Sequence, residues 1–204
     1  MHREILTTGQ NKLLPLISGF SREYYLAGGT AVALHIGHRQ SIDFDLFTLS
    51  DLNLKSIKNK LAGGNIQYKV LHEAYDQLHI LTHDVKITFF NFPFNIPHEN
   101  DFEKIITMPD LIDLAAMKAF ALGGRAKWKD YVDLYFLLKD HYTIQAIGSR
   151  ASELFHDTFN IKLFRQQLVY FEDIDYSEAV SYVLVDPGEK DIREFLTETA
   201  TEVF

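Results

Sequence analysis

The stretch "LAGGTAVALHIGHRQSIDFDLF" runs from Leu26 to Phe47. It joins a Gly28-Gly29-Thr30 turn to an acid-aromatic-acid strand, Asp43-Phe44-Asp45, in apolar surroundings. A carboxylate buried in a strand is costly unless something compensates its charge. Period-two geometry places Asp43 and Asp45 on one face of one strand, about 7 Å apart by Cα. Carboxylates that close repel, and one is driven toward protonation unless a divalent cation lies between them. Mg²⁺ suits the position, with Mn²⁺ as the alternative, because a hard cation takes one or two carboxylates plus phosphate oxygens of a substrate. The glycines supply the complementary half. They let the backbone approach a phosphate, and the N–H groups opening the next helix point at it with the positive end of the dipole. Thr30 adds a hydroxyl donor. A metal on one wall and an anion cradle on the other describe a phosphoryl- or nucleotidyl-transfer site.

Around this stretch the pattern predicts a helix over 3–18, a short strand over 24–27, a helix over 30–37 and a strand over 41–47. A helix capped by Ser50 or Asp51 should run to Leu61, closed by Gly63-Gly64. Three β segments follow, over 66–72, 77–82 and 85–92, the last two forming a hairpin at His83-Asp84. Beyond Pro109 the character turns helical, with "PDLIDLAAMKAFALGG" and "AKWKDYVDLYFLLKDH" followed by helices over 149–155, 161–170 and 189–203. The organisation expected is α+β: a mixed sheet flanked by helices over 1–108, and a helical half over 109–204. No flexible linker separates the two, so they are expected to pack as one body.

The 204 residues, 47% of them hydrophobic and without cysteine, suit one domain of ordinary size or two small ones, with no disulfide or thiolate chemistry. No signal peptide or spanning segment is visible, so a cytoplasmic protein without membrane contact is expected. The net charge of −8 argues against a broad coat for nucleic acid. Lys118, Arg125, Lys127 and Lys129, with no acid between Lys118 and Lys129, are the one candidate basic groove wall.

Simpler explanations exist for each feature. Asp43 and Asp45 could line a solvated edge strand, and Gly28-Gly29 could be only a strand-to-helix turn. Arg39 could contact a phosphate or pair with Asp43 or Asp45. His35 and His38 share a helix face but lack a third zinc ligand, so they read as helix-surface histidines. Lys118 could snorkel, and Asp130 and Asp133 could pair with Lys127 or Lys129 on a solvated face. Phe89, Phe90, Phe92 and Phe94 read as core and sheet packing rather than a base-stacking platform.

The same stretch resembles the polymerase-β-like nucleotidyltransferases, whose signature is a Gly-Gly or Gly-Ser turn followed by an acid-x-acid strand. Gly-Gly-Thr, His38-Arg39 before the acids, and the later "MKAFALGGRAKWKDYVDLYFLL" are most similar to the AbiEii/AbiGii toxin-like group. The resemblance covers residues 24–48 and 109–139, with "VKITFF" between. It implies that Gly28, Gly29 and Thr30, with Arg39, Lys118 and Lys129, bind a nucleoside triphosphate. It further implies that Asp43 and Asp45 hold Mg²⁺, and that Asp130 and Asp133 belong to the catalytic set. Members of the group transfer a nucleotide, some of them to RNA such as a tRNA end, and several are toxins paired with an antitoxin. One position departs from the pattern. The third carboxylate expected on the strand "DVKITFFNF" is Thr88, which cannot act as a base near neutral pH. Asp84 faces the same side but lies about 13 Å away along the strand. Asp130 or Asp133 could substitute.

Three readings follow. The leading one is a Mg²⁺-dependent nucleotidyltransferase acting on an acceptor hydroxyl, RNA or tRNA included, as the toxin of a toxin–antitoxin or abortive-infection system. The alternative is a catalytically impaired relative, marked by Thr88, that binds a nucleotide or a partner. The third is a small-molecule nucleotidyltransferase that modifies an antibiotic.

Overall fold

The computed structural model describes residues 1–202, and the chain divides into two compact units, Met1–Asp110 and Leu111–Phe204. The first unit is built on a five-stranded sheet of order β1-β2-β5-β4-β3. Its strands are β1 (Tyr25–Ala27), β2 (Phe44–Thr48), β3 (Lys69–Glu73), β4 (Gln77–Thr82) and β5 (Val85–Asn91). Only β2 and β5 are parallel, and the remaining neighbours are antiparallel. Such mixed pairing follows from chain order: β4 and β5 close a hairpin, whereas β2 reaches β5 only after a helix and two strands. Leu26, Phe44, Leu46, Leu78, Ile80, Ile87 and Phe89 are fully buried and form the core on one face of the sheet.

The first expected helix is broken. A 3-10 turn over Arg3–Ile5 precedes α1 (Thr8–Ser18), because Thr7 and Gln10 form a capping box that starts the helix afresh. Helix α2 (Gly28–Ile36) begins at the glycines themselves and ends at Gly37, which adopts the left-handed conformation. His38 therefore lies beyond the helix and is 1% exposed, so it is not the helix-surface residue expected. His35 is half-buried, its ring nitrogen 3.1 Å from the Pro109 carbonyl, and burial holds its pKa below the usual histidine range. Asn53, not Ser50 or Asp51, caps α3 (Leu54–Gly63). A hairpin of β6 (Asn100–Phe102) and β7 (Ile106–Met108) completes the unit and lies outside the sequence expectation. Of the aromatic run, Phe89 is core, while Phe90 and Phe92 pack on Phe47 at 5.2 and 5.3 Å between centroids and Phe94 packs on Phe92 at 5.2 Å.

The second unit is helical: α4 (Leu111–Leu122), α5 (Trp128–Asp140), α6 (Ile144–Phe155), α7 (Ile161–Leu168) and α8 (Glu189–Thr201). Helix α6 starts five residues before the expected 149, where the Thr143 hydroxyl accepts from the Ala146 N–H. The expected end of α8 at Val203 lies outside the described residues. The single O–H of Tyr131 is shared between the Tyr170 carbonyl at 2.9 Å and the Gln167 carbonyl at 3.1 Å, tying α5 to the end of α7. No helix among the described residues is long and apolar enough to cross a membrane.

Candidate active site

Strand register assembles the acidic half of the site. Asp45 stands in β2 between Ala27 of β1 and Thr88 of β5. Asp43 lies one residue ahead of β2, so the strand is shorter than the expected 41–47. Both carboxylates are half-buried, and so are not the residues of a freely solvated edge. The main chain at Asp43 is fixed from two helices: its carbonyl accepts from Gln10 Nε2 of α1 at 3.2 Å and from the Thr30 hydroxyl of α2. Thr30 Oγ1 also lies 2.9 Å from Ser41 Oγ, whose hydroxyl can donate to it, and Thr30 is 1% exposed. In this structure its hydroxyl positions Asp43.

Gly28 joins the turn to the acids. Its φ is +68°, a conformation that favours glycine. A Cβ there would lie 2.8 Å from Asp45 Cγ, so the main chain fits against the carboxylate only because no side chain intervenes. Ala27, the N-cap, offers no side-chain cap to the first-turn N–H groups of α2, which leaves the positive end of the dipole without a carboxylate or hydroxyl from that position. Arg39 is 1% exposed and packs beneath Gly29, where a Cβ would meet Arg39 Nη2 at 2.6 Å. Its Nη1 donates to the Gln40 carbonyl at 3.0 Å.

Lys86 was not among the expected site residues. Its Nζ lies 3.0 Å from Asp43 Oδ2. The signal was in "VKITFF": Lys86 is two residues before Thr88 and shares its face of the strand. Gln10 was also missed, although Thr7-Thr8-Gly9-Gln10 spells a capping box. Asp84 lies in the hairpin turn at φ +60°.

The donor set suits a hard cation. Two carboxylates two residues apart, beside a glycine turn that a Cβ would obstruct, match the one or two carboxylates that Mg²⁺ takes when substrate phosphates supply further oxygens. Among the described residues no cluster of three or more His, Cys, Asp or Glu forms a cage for a metal by itself.

The remaining expected residues lie in the second unit. Lys118 Nζ contacts Asp130 Oδ1 at 2.6 Å and Asp133 Oδ2 at 2.7 Å, and all three side chains are at most 6% exposed. Arg125 Nε reaches Asp130 Oδ2 at 3.0 Å. Burial pushes the Asp130 carboxyl up, but Lys118 and Arg125 outweigh it and hold the group below the usual range. Lys127 and Lys129 converge on Glu178 at 2.7 and 3.0 Å. Burial raises the Glu178 carboxyl, the two lysines outweigh it, and it falls to about 2. The expected basic groove wall is thus corrected: each of its four cations faces a carboxylate, two of which, Asp130 and Asp133, lie on the same helix as Lys129.

A family model described as "Nucleotidyl transferase AbiEii toxin, Type IV TA system" matches residues 16–199. An uncharacterized protein of Aquifex aeolicus is 29% identical over 193 residues, covering 90% of this chain and 89% of its own. Among solved structures, MenT4, a nucleotidyltransferase toxin of Mycobacterium tuberculosis H37Rv, is similar at a TM-score of 0.62 with 13% identity, over 95% of this chain and 82% of its own. JHP933 from Helicobacter pylori is similar at 0.59 with 19% identity, over 96% and 91%. At those identities the two structures speak for the fold: an α+β nucleotidyltransferase core with a mixed sheet. With the family model spanning nearly the whole chain, this protein belongs to the AbiEii family of nucleotidyl transferase toxins.

Proposed function

We propose that the chain is a Mg²⁺-dependent nucleotidyltransferase that moves a nucleoside monophosphate from a nucleoside triphosphate to an acceptor hydroxyl, with RNA as the acceptor class and a cognate antitoxin as its partner. The observation that carries this reading is the Asp43–Asp45 pair held against the Gly28 turn. Asp43 and Asp45 would hold the divalent ion, which when bound supplies positive charge to the phosphate oxygens. Gly28 and Gly29 present main-chain N–H groups to the triphosphate at the start of α2. Gln10 and Thr30 keep Asp43 in place, so that little reorganisation accompanies binding. The acceptor hydroxyl attacks the α-phosphorus, the new P–O bond forms as the bond to pyrophosphate breaks, and the hydroxyl proton leaves to solvent water.

The test is transfer of label from α-³²P nucleotides to RNA, with Asp43→Asn/Asp45→Asn as control. Labelled product that disappears in the control supports the reading. No transfer to any acceptor, together with no nucleotide-dependent thermal shift in Mg²⁺, sinks it.

Thr88 supports a second reading. It stands directly beside Asp45, where a third carboxylate would lie, and its hydroxyl is no base at neutral pH. A chain so built binds a nucleotide or partner without turnover. Nucleotide binding without product, unchanged by Thr88→Asp, favours this alternative.

A further inference from the structure

Thr88 pairs with Asp45 in the β2–β5 register, and two residues toward the start of β5 the Lys86 side chain reaches Asp43, just ahead of β2. Lys86 Nζ lies 3.0 Å from Asp43 Oδ2, with both side chains partly exposed, at 29% and 20%. The contact is therefore reached from solvent rather than sealed in the core. A site for two divalent ions about 3.5–4 Å apart needs enough anionic charge to hold both. Here the acidic face carries the carboxylates of Asp43 and Asp45, a neutral threonine in place of a third, and the Lys86 ammonium beside Asp43.

We propose that Lys86 is the resident cation of this site, filling the flank of Asp43 so that the pair takes one divalent ion instead of two. The inference rests on the metal reading given above for Asp43 and Asp45. The chemistry is that of charge balance. An ammonium is a compact point charge on a flexible stem, with three donors. One of its donors meets Asp43. Lys86 thus supplies a second positive charge without a second metal, and it opposes the first one electrostatically. Its contact with Asp43 is too open to contribute much to folding, so replacing it tests the site rather than the fold.

The experiment is Mn²⁺ titration of the full chain without nucleotide, with free Mn²⁺ followed by electron paramagnetic resonance and folding checked by circular dichroism. Wild type is expected to take one Mn²⁺ per chain. Lys86→Met is expected to take a second Mn²⁺ per chain and to hold the first about tenfold more tightly, as follows from removing a like charge a few ångströms from the ion. Lys86→Gln, which keeps polar reach without charge, carries the same expectation and replaces Lys86→Met should that variant not fold. Lys86→Arg keeps the wild-type affinity. Two Mn²⁺ per wild-type chain, a single Mn²⁺ in Lys86→Met, or an affinity indifferent to the charge at position 86, overturns the inference. Asp43→Asn/Asp45→Asn separates the two levels. Mn²⁺ binding that survives in this variant overturns the metal reading as well, whereas binding lost there but indifferent to Lys86 overturns only the resident-cation assignment.

Discussion

Gly28 packs against Asp45 so closely that a Cβ would lie 2.8 Å from the aspartate's Cγ, and its φ of +68° penalises any side chain independently. Gly28→Ala should therefore destabilise the protein by about 2 kcal/mol and displace the Asp45 carboxylate. Gly29 is not in the left-handed region, and its nearest obstacle is the end of the Arg39 side chain. Gly29→Ala should cost less. Urea denaturation of the two variants checks the order; equal costs would contradict it.

Lys118 neutralises two carboxylates that are almost wholly buried. Removing it leaves charge without a sufficient counter-ion in the interior, a loss of about 3–5 kcal/mol. Lys118→Met should fall in this range by chemical denaturation. Lys118→Met/Asp130→Asn/Asp133→Asn should recover much of the loss, because no charge then remains to be compensated.

Acid should act on the second unit through Glu178 and Asp130. Both carboxyls are lower in the folded chain than in an ordinary carboxylic acid, Glu178 at about 2 against 4.5. The folded state therefore binds fewer protons, and their contribution is complete above the ordinary carboxylate range and fades as pH falls toward the folded value. For Glu178 the window is 4.5 down to about 2. Glu178→Gln should flatten the loss of stability across that window, measured by urea midpoints at several pH values. Partial solvent exposure of Glu178 keeps the effect small.

Gln10 lies outside the matched family segment yet spends both ends of its amide on the site's scaffold: Oε1 accepts from the Thr7 N–H at 3.0 Å, and Nε2 donates to the Asp43 carbonyl. Gln10→Leu should cost about 1–3 kcal/mol, the range for leaving buried polar groups without partners. It should also weaken Mn²⁺ binding, which Leu13→Ala, a core truncation elsewhere on the same helix, should leave unchanged. Thermal denaturation alongside Mn²⁺ titration separates the two effects.

Local signals made the acidic half readable. Gly-Gly before a helix and alternating acids in a strand identify the turn, the strand and the shared face within one short stretch, and the expected strand over 77–82 coincides with β4. What escaped depends on which faces meet. Lys118 and Asp133 are 15 residues apart on successive helices, and Lys129 meets Glu178 from a distant loop, so the sequence displayed a basic run where the fold displays matched pairs. The β6–β7 hairpin escaped because its strands have three residues each and its turn uses Glu103 and Lys104 at positive φ, with no glycine to announce it.

The parallel pairing of β2 with β5 also has a kinetic consequence. Asp45 meets Thr88, and Asp43 meets Lys86, across more than forty residues containing a helix and two strands. Closing so long a segment comes late among folding events, since entropy is spent before the contact rewards it. A chain leaving the ribosome would carry the glycine turn and both aspartates well before the strand that flanks them. In refolding followed by stopped flow, recovery of wild-type Mn²⁺ affinity should lag behind the appearance of helix, so that the newborn polypeptide matures into its working form only when the sheet is closed.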